Sequence, residues 1–310
     1  ARQLMEPMKT KQTVLVSLAL GLGLLAGIPA AQAQYTGHYP IGVEGIKGGS
    51  LPPPGVYLRD YNLFYWADRL NDPYGDPVKD PTGREVDFDG FVYANAIRPI
   101  WITKWKVLGG SYGMDVLVPL IYTDLTVGSP VGSCFGVGDV FFEPITLSWH
   151  WKQWDLGVGY GFWAPTGNTA PPPTARAGKG YWSNMFTLGA TWFPDKAKTW
   201  SLSVLNRYEI HTQADFTNIT PGDTFSMEAG LGKSICKAVE LGPVFYYQQQ
   251  TTKDRASPNT SLDRVFGVGG EVGTFFPKVK LFVSGRYFYE FRAQDRPQGN
   301  TVMLTLTKIF

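Results

Sequence analysis

Four things are scarce in this 310-residue chain, and each scarcity removes a class of protein. Cysteine occurs twice, too few to build a disulfide scaffold. Histidine occurs three times, at His38, His150 and His211, far apart and with no C-x-x-C partner, which argues against a zinc site. Charged residues make up 17 % and the net charge is +2, so nothing points to nucleic acid or to an acidic partner. Long apolar runs are missing beyond residue 28, where no stretch approaches the roughly 18 residues that a membrane helix needs.

The apolar run that does exist covers residues 14–28. Lys9 and Lys11 precede it, and Ala31-Gln-Ala33 follows it. A basic flank, a short apolar core and a small-residue A-x-A site define a secretory signal peptide, with cleavage expected after Ala33. The flank sits directly after Met8, which predicts that translation starts there and that residues 1–7 lie upstream. Three parts follow: 1–33 for export, a Gly- and Pro-rich segment at 34–55, and one large domain at 56–310. The middle part reads equally as a periplasmic tail or as a short plug.

From residue 56 onward, stretches of about ten to sixteen residues alternate apolar and polar, separated by turn-forming clusters. Phe225-Ser-Met-Glu-Ala-Gly-Leu-Gly232 is one case and Val302-Met-Leu-Thr-Leu-Thr307 another. Period two means a strand whose two faces meet different surroundings. Twelve strands are expected, near residues 56–69, 86–102, 110–123, 137–149, 154–166, 181–193, 199–213, 223–234, 239–250, 263–275, 279–293 and 300–310. The connections alternate in length. Long ones fall at 71–86, 124–136, 167–180, 214–222, 252–263 and 294–299, and short ones at 104–109, 150–153, 194–198, 235–238 and 277–280. Long loops outside, tight turns in the periplasm and an even strand count are the habit of outer-membrane barrels, and a soluble β-sandwich has no reason to alternate this way.

The faces carry the same message. From Trp200, one face reads Trp200, Leu202, Val204 and the other Ser201, Ser203, Arg207, Glu209. A membrane barrel turns the apolar face to lipid and keeps charge in its lumen, and aromatic residues crowd the strand ends, as in Trp149, Trp151 and Trp154. The expected fold is therefore all-β: a transmembrane antiparallel barrel of about twelve strands, in the bacterial outer membrane, with both termini in the periplasm. The chain stops on Phe310 inside an alternating strand. A terminal Phe resembles the signal read by the barrel-assembly machinery, and Lys308 departs from that pattern as an interfacial lysine that snorkels.

Several segments together resemble a known family, the outer-membrane proteins associated with the meta pathway of phenol degradation. They are Gly110-Ser-Tyr-Gly-Met-Asp-Val-Leu-Val-Pro119, Gly136-Val-Gly-Asp-Val-Phe-Phe-Glu-Pro144, Ala164-Pro-Thr-Gly167, Glu240-Leu-Gly-Pro243 with Gln248–Gln250, and Arg264-Val-Phe-Gly267. The resemblance implies a barrel transporter for small hydrophobic or aromatic molecules, not an enzyme.

Two motifs are decoys. Gly109-Gly-Ser-Tyr-Gly113 fits G-x-S-x-G but opens a strand, whereas a hydrolase elbow needs a strand-to-helix turn. Gly21-Leu-Gly23 mimics a dinucleotide fingerprint inside the export segment, with no strand before it. No pattern requires a cofactor. The candidate site is the polar face, with Arg207, Glu209, His211, Glu228, Glu240, Glu271, Arg286, Glu290 and Arg292 in the lumen, because a charge on the lipid face costs about 2–4 kcal/mol near midplane. These groups either fill the barrel as a hydrogen-bonded plug or line a path, and a width of twelve strands decides neither. Rows of glycine at 157, 159, 161 and at 267, 269, 273 give either curvature, the favoured reading, or room. The functional expectation is a passive channel for small hydrophobic or aromatic solutes, with outer-membrane lipids as its surroundings. The alternatives are an outer-membrane lipid hydrolase on a similar barrel and a structural or adhesive barrel.

Overall fold

The computed structural model describes residues 36–170, 174–236 and 238–310, so the expected signal peptide lies outside the described residues. Thirteen strands form: β1 (Gly55–Leu70), β2 (Phe88–Val107), β3 (Gly110–Val127), β4 (Ser129–Val137), β5 (Val140–His150), β6 (Trp154–Ala164), β7 (Ser183–Trp192), β8 (Trp200–His211), β9 (Thr224–Ser234), β10 (Val239–Gln250), β11 (Arg264–Phe276), β12 (Leu281–Gln294) and β13 (Pro297–Ile309). All pairings are antiparallel between neighbours. The ring closes where β13 meets β1, from Tyr57↔Ile309 to Leu70↔Pro297. Twelve strands make the barrel wall. Closure leaves the wall no free edge, which is what lets a β-structure satisfy its backbone in lipid.

The extra strand, β4, replaces an expected loop. Residues 124–136 are not irregular. β3 runs on to Val127, turns at Gly128, and returns as β4, pairing Leu120↔Val137 through Val127↔Ser129. Below a break at Gly138 and Asp139, β5 takes over the same side of β3 at Leu117↔Phe141. The hairpin therefore projects from the loop end of the wall. Two other connections are tighter than expected. Leu108 and Gly109 alone join β2 to β3, both with positive φ (51° and 81°), the geometry of a two-residue type I′ hairpin. On the loop side, residues 295 and 296 alone join β12 to β13.

Alternation is as the period-two pattern requires. Along β8, Ser201, Ser203, Arg207 and Glu209 are buried, while Leu202 on the other face is 46 % exposed. Leu231, Val272 and Leu304 are likewise exposed, and the buried cluster of Phe141, Trp163, Met185, Tyr246, Phe288 and Met303 lies inside the ring. The molecule is inside-out relative to a soluble barrel. Trp101, Trp105, Trp151, Trp154, Trp192 and Trp200 stand exposed at the short-turn end. At the loop end the rings of Phe225, Tyr247, Phe266 and Phe291 touch in series, at 6.4, 4.7 and 5.7 Å between centroids. These are the two girdles of a membrane barrel. Lys308, outward beside Leu306, donates to the Val279 carbonyl at 2.5 Å, which keeps its charge at the rim. On the outward face between the girdles, Asp60 is bonded within the wall, accepting from Asn95 at 2.6 Å and Asn62 at 3.3 Å.

Candidate functional site

The interior is built around residues 36–54. They run through the lumen from the loop end, where Thr36 meets Lys179, to the short-turn end, where Pro53 accepts from Tyr57 Oη at 2.7 Å. Of the two sequence readings, this is the plug and not the tail. It also corrects the expected placement of the N-terminal segment, because residue 36 lies at the end opposite Phe310.

The segment has no regular secondary structure, so its backbone N–H groups need partners from the wall. Carboxylates supply them. Glu209 accepts from the N–H of His38 at 3.0 Å and of Tyr39 at 3.2 Å. Glu228 accepts from those of Glu44 (3.0 Å) and Gly45 (3.3 Å), and also from Tyr39 Oη. Glu271 takes the N–H of Ile46 at 2.5 Å, and Ser203 Oγ that of Gly49 at 2.8 Å. In the other direction, Arg286 Nη1 donates to the carbonyls of Gly42 and Val43. One charged side chain of the segment reaches the barrel centre. Glu44 pairs with Arg59 (2.7 Å), Arg98 (3.0 Å) and Arg207 (3.6 Å), and Arg98 in turn forks onto Asp115 at 2.8 and 2.9 Å.

Eight of the nine lumen candidates face inward. Arg207, Glu209, His211, Glu228, Glu271, Arg286 and Glu290 are buried, and Glu240, less covered, pairs with Lys47 of the segment at 2.7 Å. Arg292 is the exception and is exposed. The register of β11 on β12 slips between Arg264 and Phe266, and Arg292 sits opposite that slip with φ 52°. A bulge of one residue flips every later side chain to the other face, so strict alternation fails there. Sequence reasoning also missed Glu44, Arg59, Arg98, Asp115 and Glu143. The last four lie on inward positions of β1, β2, β3 and β5, and the same alternation could have found them.

The inward glycines make room. A Cβ on Gly189 would stand 2.7 Å from Gly49 Cα, and one on Gly230 would stand 2.9 Å from Ile46 Cα. Gly157 faces Leu51 and Gly49. Gly157 gives clearance to the inner segment, whereas Gly159 and Gly161 of the same row face Glu143 and Phe141 of the wall.

The space left over is uneven. A cavity of 460 Å³ lies against β1–β3, walled by Tyr61, Leu63, Val92, Ala94, Ala96, Leu117, Pro119, Ile121, Phe141, Trp163 and Met303, with Tyr39 and Ile41 of the segment opposite. A second, of 50 Å³, lies below it among Glu44, Gly49, Arg59, Asp115, Glu143 and Gly157. Arg98 and Arg207 line both and stand between them. Polar groups belong to its lining residues: Arg59 Nε, Thr146 Oγ1, Thr187 Oγ1, and Arg207 Nε and Nη1 have no hydrogen-bond partner among the described residues. A void of that size has room for at least one water.

At the cavity's loop end, Asp139 accepts from His38 Nε2 and from the N–H groups of Lys179 and Gly167. Burial opposes its ionisation, but those bonds outweigh it and hold the carboxyl below its usual range. Burial also lowers the Lys179 amine, which donates to Thr36 Oγ1 at 2.8 Å and to the Gly37 carbonyl at 2.5 Å.

A closed twelve-stranded wall, lipid-type girdles and a polar, segment-filled interior define an outer-membrane-type β-barrel. The chain belongs to the family described as "Putative MetA-pathway of phenol degradation", whose pattern matches residues 67–306. No curated protein matches it. Among solved structures, the outer membrane channel from Pseudomonas putida F1 superposes with a TM-score of 0.71 at 12 % identity, over 88 % of this chain and all of that one. The beta domain of the Bordetella autotransporter BrkA follows with a TM-score of 0.53 at 13 % identity, over 84 % of this chain and all of that domain. Both likenesses concern the fold.

Proposed function

We propose that the protein is a passive channel of the bacterial outer membrane for small hydrophobic or aromatic solutes, and that it does no chemistry of its own. The observation that carries this reading is the 460 Å³ cavity, mostly apolar in its walls and set between the wall and the inner segment. A one-ring solute fits in such a volume, since ligand pockets begin at about 300 Å³. The charged belt of Arg98, Arg207 and Glu44 below it discriminates by size and charge. The channel named among the similar structures supports the reading through fold alone. Export by the signal peptide, insertion by the barrel-assembly machinery through the strand ending at Phe310, and a lipid surround belong to the same proposal. The test is uptake by liposomes holding the purified barrel, comparing a neutral one-ring aromatic with a disaccharide of larger polar surface. Faster entry of the aromatic alone supports the proposal, and equal rates for both, or for neither above empty liposomes, refute it.

A hydrolase reading has one specific observation in its favour. Ser183 Oγ lies 2.6 Å from His38 Nδ1, and His38 Nε2 lies 2.9 Å from Asp139. The order serine–histidine–carboxylate is that of a triad. Ser183, however, is fully buried, does not line the cavity, and shares its hydroxyl with His211 Nδ1 at 2.5 Å. A nucleophile needs a reacting atom about 3 Å away, and none can approach. Hydrolysis of a short-chain ester that is abolished in Ser183→Ala would reverse this judgement.

A further inference from the structure

Two of the three histidines, remote in sequence, meet inside the barrel. His38 belongs to the inner segment and His211 to β8, and their ring centroids are 6.4 Å apart. The outer nitrogen of each ring already has a polar partner. His38 Nε2 faces Asp139 Oδ2 at 2.9 Å, and His211 Nε2 faces Thr224 Oγ1 at 3.4 Å. Both Nδ1 atoms are thereby turned toward one point, which Ser183 Oγ occupies at 2.6 and 2.5 Å. Glu209, two residues before His211 on the same face of β8, has its carboxylate beside the rings, on the N–H groups of His38 and Tyr39. One ligand atom from each of His38, Glu209 and His211 lies within 4.8 Å of the others, and all three residues are buried.

We propose that His38, Glu209 and His211 form a binding site for a divalent transition-metal ion of the Zn²⁺ type, which pins the inner segment to the wall. Two imidazoles and one carboxylate are a set that zinc accepts, with ligand distances of about 2.0–2.1 Å. Tetrahedral ligands at that distance stand roughly 3.3 Å apart, so the site tightens on binding. His38 is carried by a segment that is not paired into the sheet, so the site tightens by a shift of that segment and not of a strand. Ser183 turns its hydroxyl aside or supplies the fourth ligand. With the ion bound, Asp139 accepts an Nε2 proton from His38 and Thr224 one from His211, which leaves both Nδ1 atoms to the ion. Such outer partners set ring orientation in metal sites. In the absence of the ion, Ser183 has one hydroxyl proton for two Nδ1 atoms, so one ring carries its proton at Nδ1. Lys179 brings a cation close to the site, since its backbone N–H donates to the same Asp139 that holds His38. Its amine is held by Thr36 and Gly37 and opposes a bound cation.

The experiment uses the metal-free mature protein in detergent, dialysed against Zn²⁺, freed of excess ion and assayed for bound metal by mass spectrometry. Heat-modifiable gel mobility confirms that each variant is folded. One equivalent per barrel is expected. His38→Ala and His211→Ala should each weaken binding at least about tenfold, and Asp139→Asn, a positioning change, by about 10–100-fold. Lys179→Met should tighten it. His150→Ala, at the other end beside Asp155, should retain the full equivalent. A wild-type barrel that holds no stoichiometric ion overturns the proposal. So does undiminished binding in folded His211→Ala, or loss of binding in His150→Ala. None of these readouts involves solute passage, so the site stands or falls apart from the channel reading.

Discussion

Replacing Glu44 by Gln is the sharpest probe of how the inner segment is held. The exchange is nearly isosteric and removes one negative charge. Among the described residues, Glu44 is the carboxylate paired with Arg59 at 2.7 Å and with Arg207 at 3.6 Å, while Arg98 keeps Asp115 and Glu143. The paired side chains are 22 % exposed or less. Removing one partner of a buried pair costs about 3–5 kcal/mol, mostly the penalty of the charge left behind. The longer contact to Arg207 and the partial exposure of Arg59 place this case at the low end, about 3 kcal/mol, or about 150-fold in the ratio of seated to displaced segment. Lys47→Met is the contrast. Its pair with Glu240 is as short, 2.7 Å, but the two side chains are 33 % and 16 % exposed, and such pairs contribute about 0–1 kcal/mol. Hydrogen exchange by mass spectrometry reads the outcome at the N–H groups of His38, Tyr39, Glu44, Gly45, Ile46 and Gly49, whose acceptors are wall side chains. Exchange there should rise about 150-fold in Glu44→Gln and by less than about fivefold in Lys47→Met, with strand amides unchanged in both. Unchanged protection in Glu44→Gln would refute the electrostatic account. A parallel rise throughout the strands would show that segment and wall open as one unit.

Gly189→Val drives a side chain into the Gly49 backbone, 2.7 Å from the position of its first carbon, and overpacking of this kind costs about 1–3 kcal/mol. It should raise conductance in planar bilayers, whereas Gly285→Val, with nothing near, should not. Arg207→Ala and Arg286→Ala should alter ion selectivity of the reconstituted barrel, and unchanged conductance and selectivity would mark these groups as filling only. Protease added to intact cells should cut in residues 71–87, where Tyr74 is 86 % exposed, and spare the turns at 151–153 and 235–238. Cleavage at those turns would invert the topology. Cys134 on β4 and Cys236 at a short turn lie at opposite ends of an apolar band about 25 Å tall, so non-reduced peptide mapping should find no bridge between them.

Most of the wall was legible because a strand between two unlike media must alternate, and Ser201 to Glu209 against Leu202 does so plainly. The misreadings are local. Arg292 follows the rule in sequence and breaks it in space, because a bulge carries no composition signal at that position. Residues 124–136 look like a loop, being rich in Gly, Ser and Pro, yet a projecting hairpin has no lipid face to demand alternation. Residues 36–54 have no period at all, since their bonds go to wall side chains and not to a ladder. The meeting of His38 and His211 depends on that segment lying in the lumen, and no spacing of three histidines could reveal it.

The inner segment precedes every strand, yet many of the wall groups it bonds come 101 to 244 residues later in the chain. A cord that passes through a bead was either strung through the finished hole or cast in place. Here the hole is filled by Arg98, Phe141, Tyr246 and Phe288, and an empty ring would leave the carboxylates of Glu209, Glu228 and Glu271 without the amides that neutralise them. The wall and the segment inside it therefore form one interior, in which the carboxylates of the one are satisfied by the amides of the other. Contacts of such span are slow to form.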